Sequence, residues 1–227
     1  MVFFRRLNPA TRLGVSVVVA AVVLVGCAGG DDPADAPSTS SSSSASDGGV
    51  SSAPAVAQSV DQLPGWAQEL LASHGLDGLD ATEIVSVLDE TPVAERPTDL
   101  IASVRPDALM IIDAAGQEAP LALPEDLFYV SFAPYLTQTH ECHFHSLTTC
   151  KGELSGVPVS VSITDDSTGS LLVDGEQVTY DNGFTGVWLP KGIDATVTVT
   201  YDGKQGSVPI STRNSDDATC VTTLHLT

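Results

Sequence analysis

Residues 157–212 read VPVSVSITDDSTGSLLVDGEQVTYDNGFTGVWLPKGIDATVTVTYDGKQGSVPIST. Short runs rich in β-branched residues, Val157–Thr164, Ser170–Tyr180, Gly183–Leu189, Ala195–Tyr201 and Ser207–Thr212, are accompanied by Asp165-Asp166, Asp174-Gly175, Asn182-Gly183, Lys191-Gly192 and Asp202-Gly203. Asn-Gly and Asp-Gly pairs supply the positive φ angles that tight hairpins demand. Regular short strands with such turns predict a β-sandwich or small barrel. Upstream, Leu109–Ile112 and Phe128–Phe132 read as buried strands. Downstream, Cys220–Leu226 reads as a closing strand.

The sequence before this region is patterned differently. Leu63-Pro64-Gly65-Trp66 opens a helix running through Leu70 and Leu71, and Asp80 with Glu83 forms a capping box for a second helix carrying Ile84, Val85 and Leu88. A third helical stretch is expected over Thr98–Val104, between Pro97 and Pro106. Trp66, Leu70, Leu71, Leu100, Ile101 and Val104 are read as core or interface residues with the three helix-two apolar positions. The fold class is therefore α+β: a small helical N-terminal part, residues 61–107, followed by a β-sandwich-like C-terminal domain, residues 108–227.

Residues 1–26 read as an export signal. Arg5, Arg6 and Arg12 precede an apolar run, Leu13–Val25, that is shorter than the roughly 20 residues needed to span a bilayer. The tetrapeptide Leu24-Val25-Gly26-Cys27 resembles the bacterial lipobox, which implies lipidation of Cys27 and anchoring at the extracytoplasmic face of the cell membrane. Residues 27–60, rich in Ser, Ala, Asp, Gly and Pro, cannot bury enough apolar surface to offset the entropy of ordering, and read as a disordered tether. The chain has 29 acidic and 9 basic side chains. Three of those arginines lie in the signal, so the exported part is more acidic still. Nucleic acid is excluded as a partner on charge, and attachment to an anionic membrane would rest on the lipid.

With Cys27 set aside, three thiols remain, Cys142, Cys150 and Cys220, an odd number that cannot all pair within one chain. Cys142 and Cys150 lie eight apart on a predicted loop with His140, His143 and His145. Three thiolates, or two with an imidazole, match the soft, low-coordinate preference of Cu(I). Zinc is possible, although the short Cys-x-x-Cys spacing typical of zinc ribbons is missing. His145 is the leading candidate for a fourth ligand, His143 the next, with His140 and His225 weaker; His74 is read as structural. The competing reading is a Cys142–Cys150 disulfide, worth roughly 2.5 kcal/mol in the chain-entropy model, which exported proteins favour. Two further readings stay open: a thiol–disulfide or cupric reductase cycling Cys142 and Cys150, and an interaction module with structural cysteines, in which Trp188 would meet the partner. No catalytic triad, phosphate loop or His-Glu-x-x-His helix is present, so the chain is not read as primarily an enzyme.

The run from Thr139 through Cys142, His143, His145 and Cys150 to Leu154 resembles the signature of the CueP family of exported copper-binding proteins. Tyr180–Phe184, Gly186–Pro190 and Asp217–Leu224 agree with it. The resemblance spans the chain from about Leu63 to its end and implies a helical part used in dimerisation, a β-rich domain gathering Cys142, Cys150 and Cys220 at the metal, and a role in copper tolerance. It also implies delivery of copper to an exported Cu,Zn superoxide dismutase; separately, thiols that reduce Cu(II) would be oxidised in turn and need a thiol reductase to reset them. The family's best-known members are soluble in a Gram-negative periplasm; a lipobox and tether point instead to a Gram-positive envelope.

Overall fold

The structure is a computed structural model that describes residues 54–227. The signal, Cys27 and most of the tether lie outside the described residues. Two helices lead, α1 (Gly65–Ser73) and α2 (Ala81–Glu90), and ten strands follow. The capping box is present: the Asp80 carboxylate accepts from the Thr82 and Glu83 amides, and the Glu83 carboxylate accepts from the Asp80 amide.

The strands form three sheets. The first is antiparallel, β1 (Leu100–Val104), β2 (Ala108–Asp113) and β3 (Glu118–Ala122). The second is ordered β10 (Cys220–Val221), β4 (Leu127–Phe132), β7 (Thr185–Pro190), with β10 parallel to β4 and β7 antiparallel to it. The third runs β6 (Leu171–Val178), β5 (Pro158–Asp165), β8 (Asp194–Tyr201), β9 (Lys204–Ser211), antiparallel throughout.

Two cores result. Leu71, Ile84, Val85 and Leu88 of the helices pack with Leu100, Leu109, Ile111 and Leu121 of the first sheet. Phe128, Val130, Phe132, Val187 and Leu189 of the second sheet pack against Val159, Val161, Ile163, Val197 and Val199 of the third, which makes the sandwich. Side chains of this size contribute about 1.5–3 kcal/mol each on full burial. Strand β4 is shared between the cores. Its even-numbered apolar residues point into the sandwich, while Tyr129 joins the helical core, as the two-residue period of a strand requires.

The α+β expectation holds, with four local differences. Thr98–Val104 is not a helix: Leu100–Val104 is β1, its five residues paired with β2. Its β-branched Ile101 and Val104, between two prolines, suit a strand better than a short helix. Strand β3 has no counterpart in the sequence reading; Pro120 falls within it, and proline argues against strand. Asp174-Gly175 makes no turn but lies within β6, opposite Ser162 and Val161. Of Cys220–Leu226 only two residues are strand, with Tyr135 and His225 forming an isolated bridge beyond. The Asp202-Gly203 hairpin is present between β8 and β9, both residues having positive φ. Ala57 is buried and bonds along β3 through Pro120 and Ala122.

Candidate metal centre

The loop after β4 is held in place by backbone bonds at several points. The Val104 amide donates to the His145 carbonyl and the Leu147 amide to that of Ala102, so residues 145–147 run along the free edge of β1. The Thr219 and Cys220 amides both donate to the His143 carbonyl, tying the loop to β10. The base of the loop is fixed by Glu153, whose carboxylate accepts from the amides of Leu136, Thr137 and Gln138 and from the Thr137 hydroxyl. These bonds hold Glu153 down to about pKa 2, with the Thr137 hydroxyl the largest influence.

Within this frame Cys142, Cys150 and Cys220 converge, and all three are free thiols. The Cys142 and Cys150 sulfurs are 3.6 Å apart, and the Cys220 sulfur is 3.7 Å from His145 Nδ1. Ligand atoms of His145, Cys150 and Cys220 lie within 4.8 Å of one another, as do those of His140, Cys142 and Cys150. Cys150 and Cys220 are buried and Cys142 half-buried. Cys220 reaches the cluster because it pairs with Ser131 of β4, so alternation turns Val221 into the sandwich and Cys220 to the opposite face.

His145 is fully buried, its ring 4.6 Å from that of Phe184. Its Nε2 meets Asp89 Oδ1 at 2.9 Å, which leaves Nδ1 facing Cys220. Burial alone would lower the imidazole; the Asp89 charge and hydrogen bond outweigh it and raise His145 to about 9. Asp89 is itself 1% exposed and accepts from Tyr129 Oη at 2.6 Å, Asn182 Nδ2 at 2.9 Å and Ser131 Oγ. Burial works to raise the carboxyl, yet His145, Tyr129 and Asn182 hold it below its usual value. Arg96, also buried, donates from Nη1 to the Cys150 carbonyl at 2.7 Å, and its Nε and Nη2 have no protein partner.

The thiols divide their protons unequally. Cys150 is driven well down as a thiol by its neighbours, Cys142 first and then Cys220, with His145 assisting. Cys142 is pushed up to about 12, first by its bond to Cys150, and Cys220 is pushed up by its bonds to Cys142 and Cys150 and by burial. Three thiols beside an imidazole–carboxylate pair can exchange their protons for a soft cation. An imidazole that ligates through one nitrogen while a carboxylate holds the other is the usual arrangement around bound metals.

Cys142, Cys150, Cys220 and His145 are thus brought together as the sequence implies. His143 is not: its Nε2 bonds the Asp216 carbonyl at 2.9 Å and its ring packs on Phe144. Its neighbour-but-one His145 takes the inward direction. His140, ranked lower, lies beside Cys142 and Cys150. His225 stacks on Tyr135, and His74 bonds Asp99. Asp89, Arg96 and Asn182 were missed. Asp89 follows Ala81, Ile84, Val85 and Leu88 at helical spacing, so periodicity alone puts it on the buried face of α2. Asn182 lies in the turn its Asn-Gly pair predicts, closed by the Gly183 amide on the Tyr180 carbonyl, and its side chain also donates to Asp89 and accepts from the Phe184 amide.

A protein-family model described as periplasmic copper-binding protein CueP matches residues 83–225. A crystal structure of S.CueP superposes with a TM-score of 0.65 at 41% identity, over 70% of this chain and 96% of that one. No curated protein matches the chain.

Proposed function

This chain belongs to the CueP family of periplasmic copper-binding proteins, and from that premise we propose that Cys142, Cys150 and Cys220, with His145, hold Cu(I). The observation that carries the reading is the convergence of two free thiols, Cys150 and Cys220, on a carboxylate-held imidazole, with the third, Cys142, beside Cys150. Sulfur-rich, low-coordinate sites favour Cu(I); Zn²⁺, which takes the same donors in a tetrahedron, is the ion for a selectivity comparison. The family is one of extracytoplasmic copper binders and not a catalytic one. The protein buffers the ion or passes it to a recipient such as an exported Cu,Zn superoxide dismutase, supporting copper tolerance. A lipidated Cys27 and tether would keep it at the membrane's outer face, and a helical surface would serve a homodimer.

Cys142 is the half-buried ligand, so Cys142→Ser should weaken Cu(I) binding about tenfold or more and leave the circular dichroism unchanged. Unaltered affinity against a chromogenic chelator would remove Cys142 from the site.

A second reading is favoured by the 3.6 Å approach of Cys142 to Cys150. Two Cu(II) ions would take one electron each from the two thiols, giving two Cu(I), a Cys142–Cys150 disulfide and two protons; a dithiol reductant would reset the pair by thiol–disulfide exchange. It requires loss of two thiols per two Cu(I) formed. Thiols that persist while Cu(II) is added rule it out.

A further inference from the structure

The two groups of potential ligands share one sulfur. His145, Cys150 and Cys220 are all buried, whereas His140 is exposed and Cys142 half-buried. Cys150 belongs to both groups. The outer group also lies where the surface opens. A cleft of about 520 Å³ is lined by His140, Cys142, Ser146 and Cys150, and a second, about 350 Å³, by Tyr135, His140, Cys142 and Thr222. Neither cleft is lined by His145 or Cys220. Phe184, fully buried, has its ring 4.6 Å from His145 and 6.2 Å from His140, so it lies close to both imidazoles.

We propose that His140, Cys142 and Cys150 form an outer transfer site for Cu(I), joined to the buried site of His145, Cys150 and Cys220 through the common Cys150 sulfur. An incoming ion meets His140 and Cys142, the nitrogen and sulfur ligands that line both clefts. It then moves inward without leaving Cys150. Copper stays Cu(I) throughout. On the inward step the Cu–His140 bond breaks as those to Cys220 and His145 form, while Cys142 and Cys150 stay bound; of the protons that Cys220 and His145 Nδ1 give up, one passes to the released His140 imidazole and the other to solvent. Release runs the same steps backwards, ending on the two side chains a recipient's own thiols or imidazoles can touch. Exchange of one ligand at a time around a retained sulfur avoids freeing the ion, as in thiol exchange through mixed intermediates.

The inference rests on the ligand set proposed above, and its test separates the two. The full reduced chain is loaded anaerobically with one Cu(I), and transfer to excess bicinchoninate is timed alongside the equilibrium affinity. His140→Ala, at an exposed position, should leave affinity within about threefold while slowing transfer by about tenfold, a barrier rise of about 1.4 kcal/mol. Cys220→Ser should lose affinity yet transfer at least as fast as the parent, its copper showing two sulfur and one nitrogen scatterers by X-ray absorption, with the nitrogen lost when His140→Ala is added. Transfer from His140→Ala at the parent rate, with parent affinity intact, overturns the outer site alone. A parent that takes up no Cu(I) overturns both readings.

Discussion

At the residue scale the centre depends on a carboxylate that looks, in sequence, like an ordinary helix-end acid. Asp89 sits one residue before the end of α2, where the negative end of the helix dipole disfavours a carboxylate. Its burial is offset by His145, Tyr129 and Asn182. Asp89 is set against His145 within a buried cluster that also holds Arg96. Removing one member leaves the others uncompensated. Asp89→Asn should therefore cost about 3 kcal/mol in urea denaturation and weaken Cu(I) binding about tenfold to a hundredfold through a misaligned imidazole. A variant with parental affinity would mean that His145 is not a ligand held by Asp89.

At the scale of elements, β7 and the loop base carry separate predictions. A Cβ on Gly186 would collide with the Tyr129 hydroxyl, so glycine there is what lets Tyr129 reach Asp89. Gly186→Ala should destabilise by about 1–3 kcal/mol, the usual cost of overpacking, seen as a lower urea midpoint; an unmoved midpoint contradicts the packing. Glu153 gives a pH signature. Its folded value, about 2, lies below the ordinary 4.5. Its contribution is thus complete above pH 4.5 and is lost as pH falls through 2. The stability gap between parent and Glu153→Gln should be constant at neutral pH and close in strong acid; a gap that widens in acid would contradict this. These elements also mark how far sequence reaches. The strands of the sandwich were legible from alternation and turn pairs, and the thiols from their isolation among few cysteines. Strand β1 was hidden because its prolines frame a short apolar run that suits either period. Asp89 was legible in the helical spacing of α2, but its polarity suggested solvent. Asn182 was hidden because the Asn-Gly pair that signals a turn says nothing of where the amide points.

At the scale of the whole molecule, the metal centre draws on every layer. The helical core supplies Asp89, the edge of β1 supports His145, the sandwich supplies Cys220 through β10, and the loop between β4 and β5 brings Cys142 and Cys150. Bound copper should accordingly stabilise the protein as one unit. With free Cu(I) at 100 times the dissociation constant the gain is about 2.7 kcal/mol, and the unfolding transition should move upward without splitting in two; a split transition would show that one layer unfolds apart from the metal. The most direct test of the central claim is an anaerobic Cu(I) titration of the reduced protein against a competing chelator, with reactive thiols counted before and after. The account predicts saturation at one equivalent with Cys142, Cys150 and Cys220 all protected from alkylation. Saturation that leaves Cys150 or Cys220 open to the reagent, or no uptake against the chelator, would contradict it.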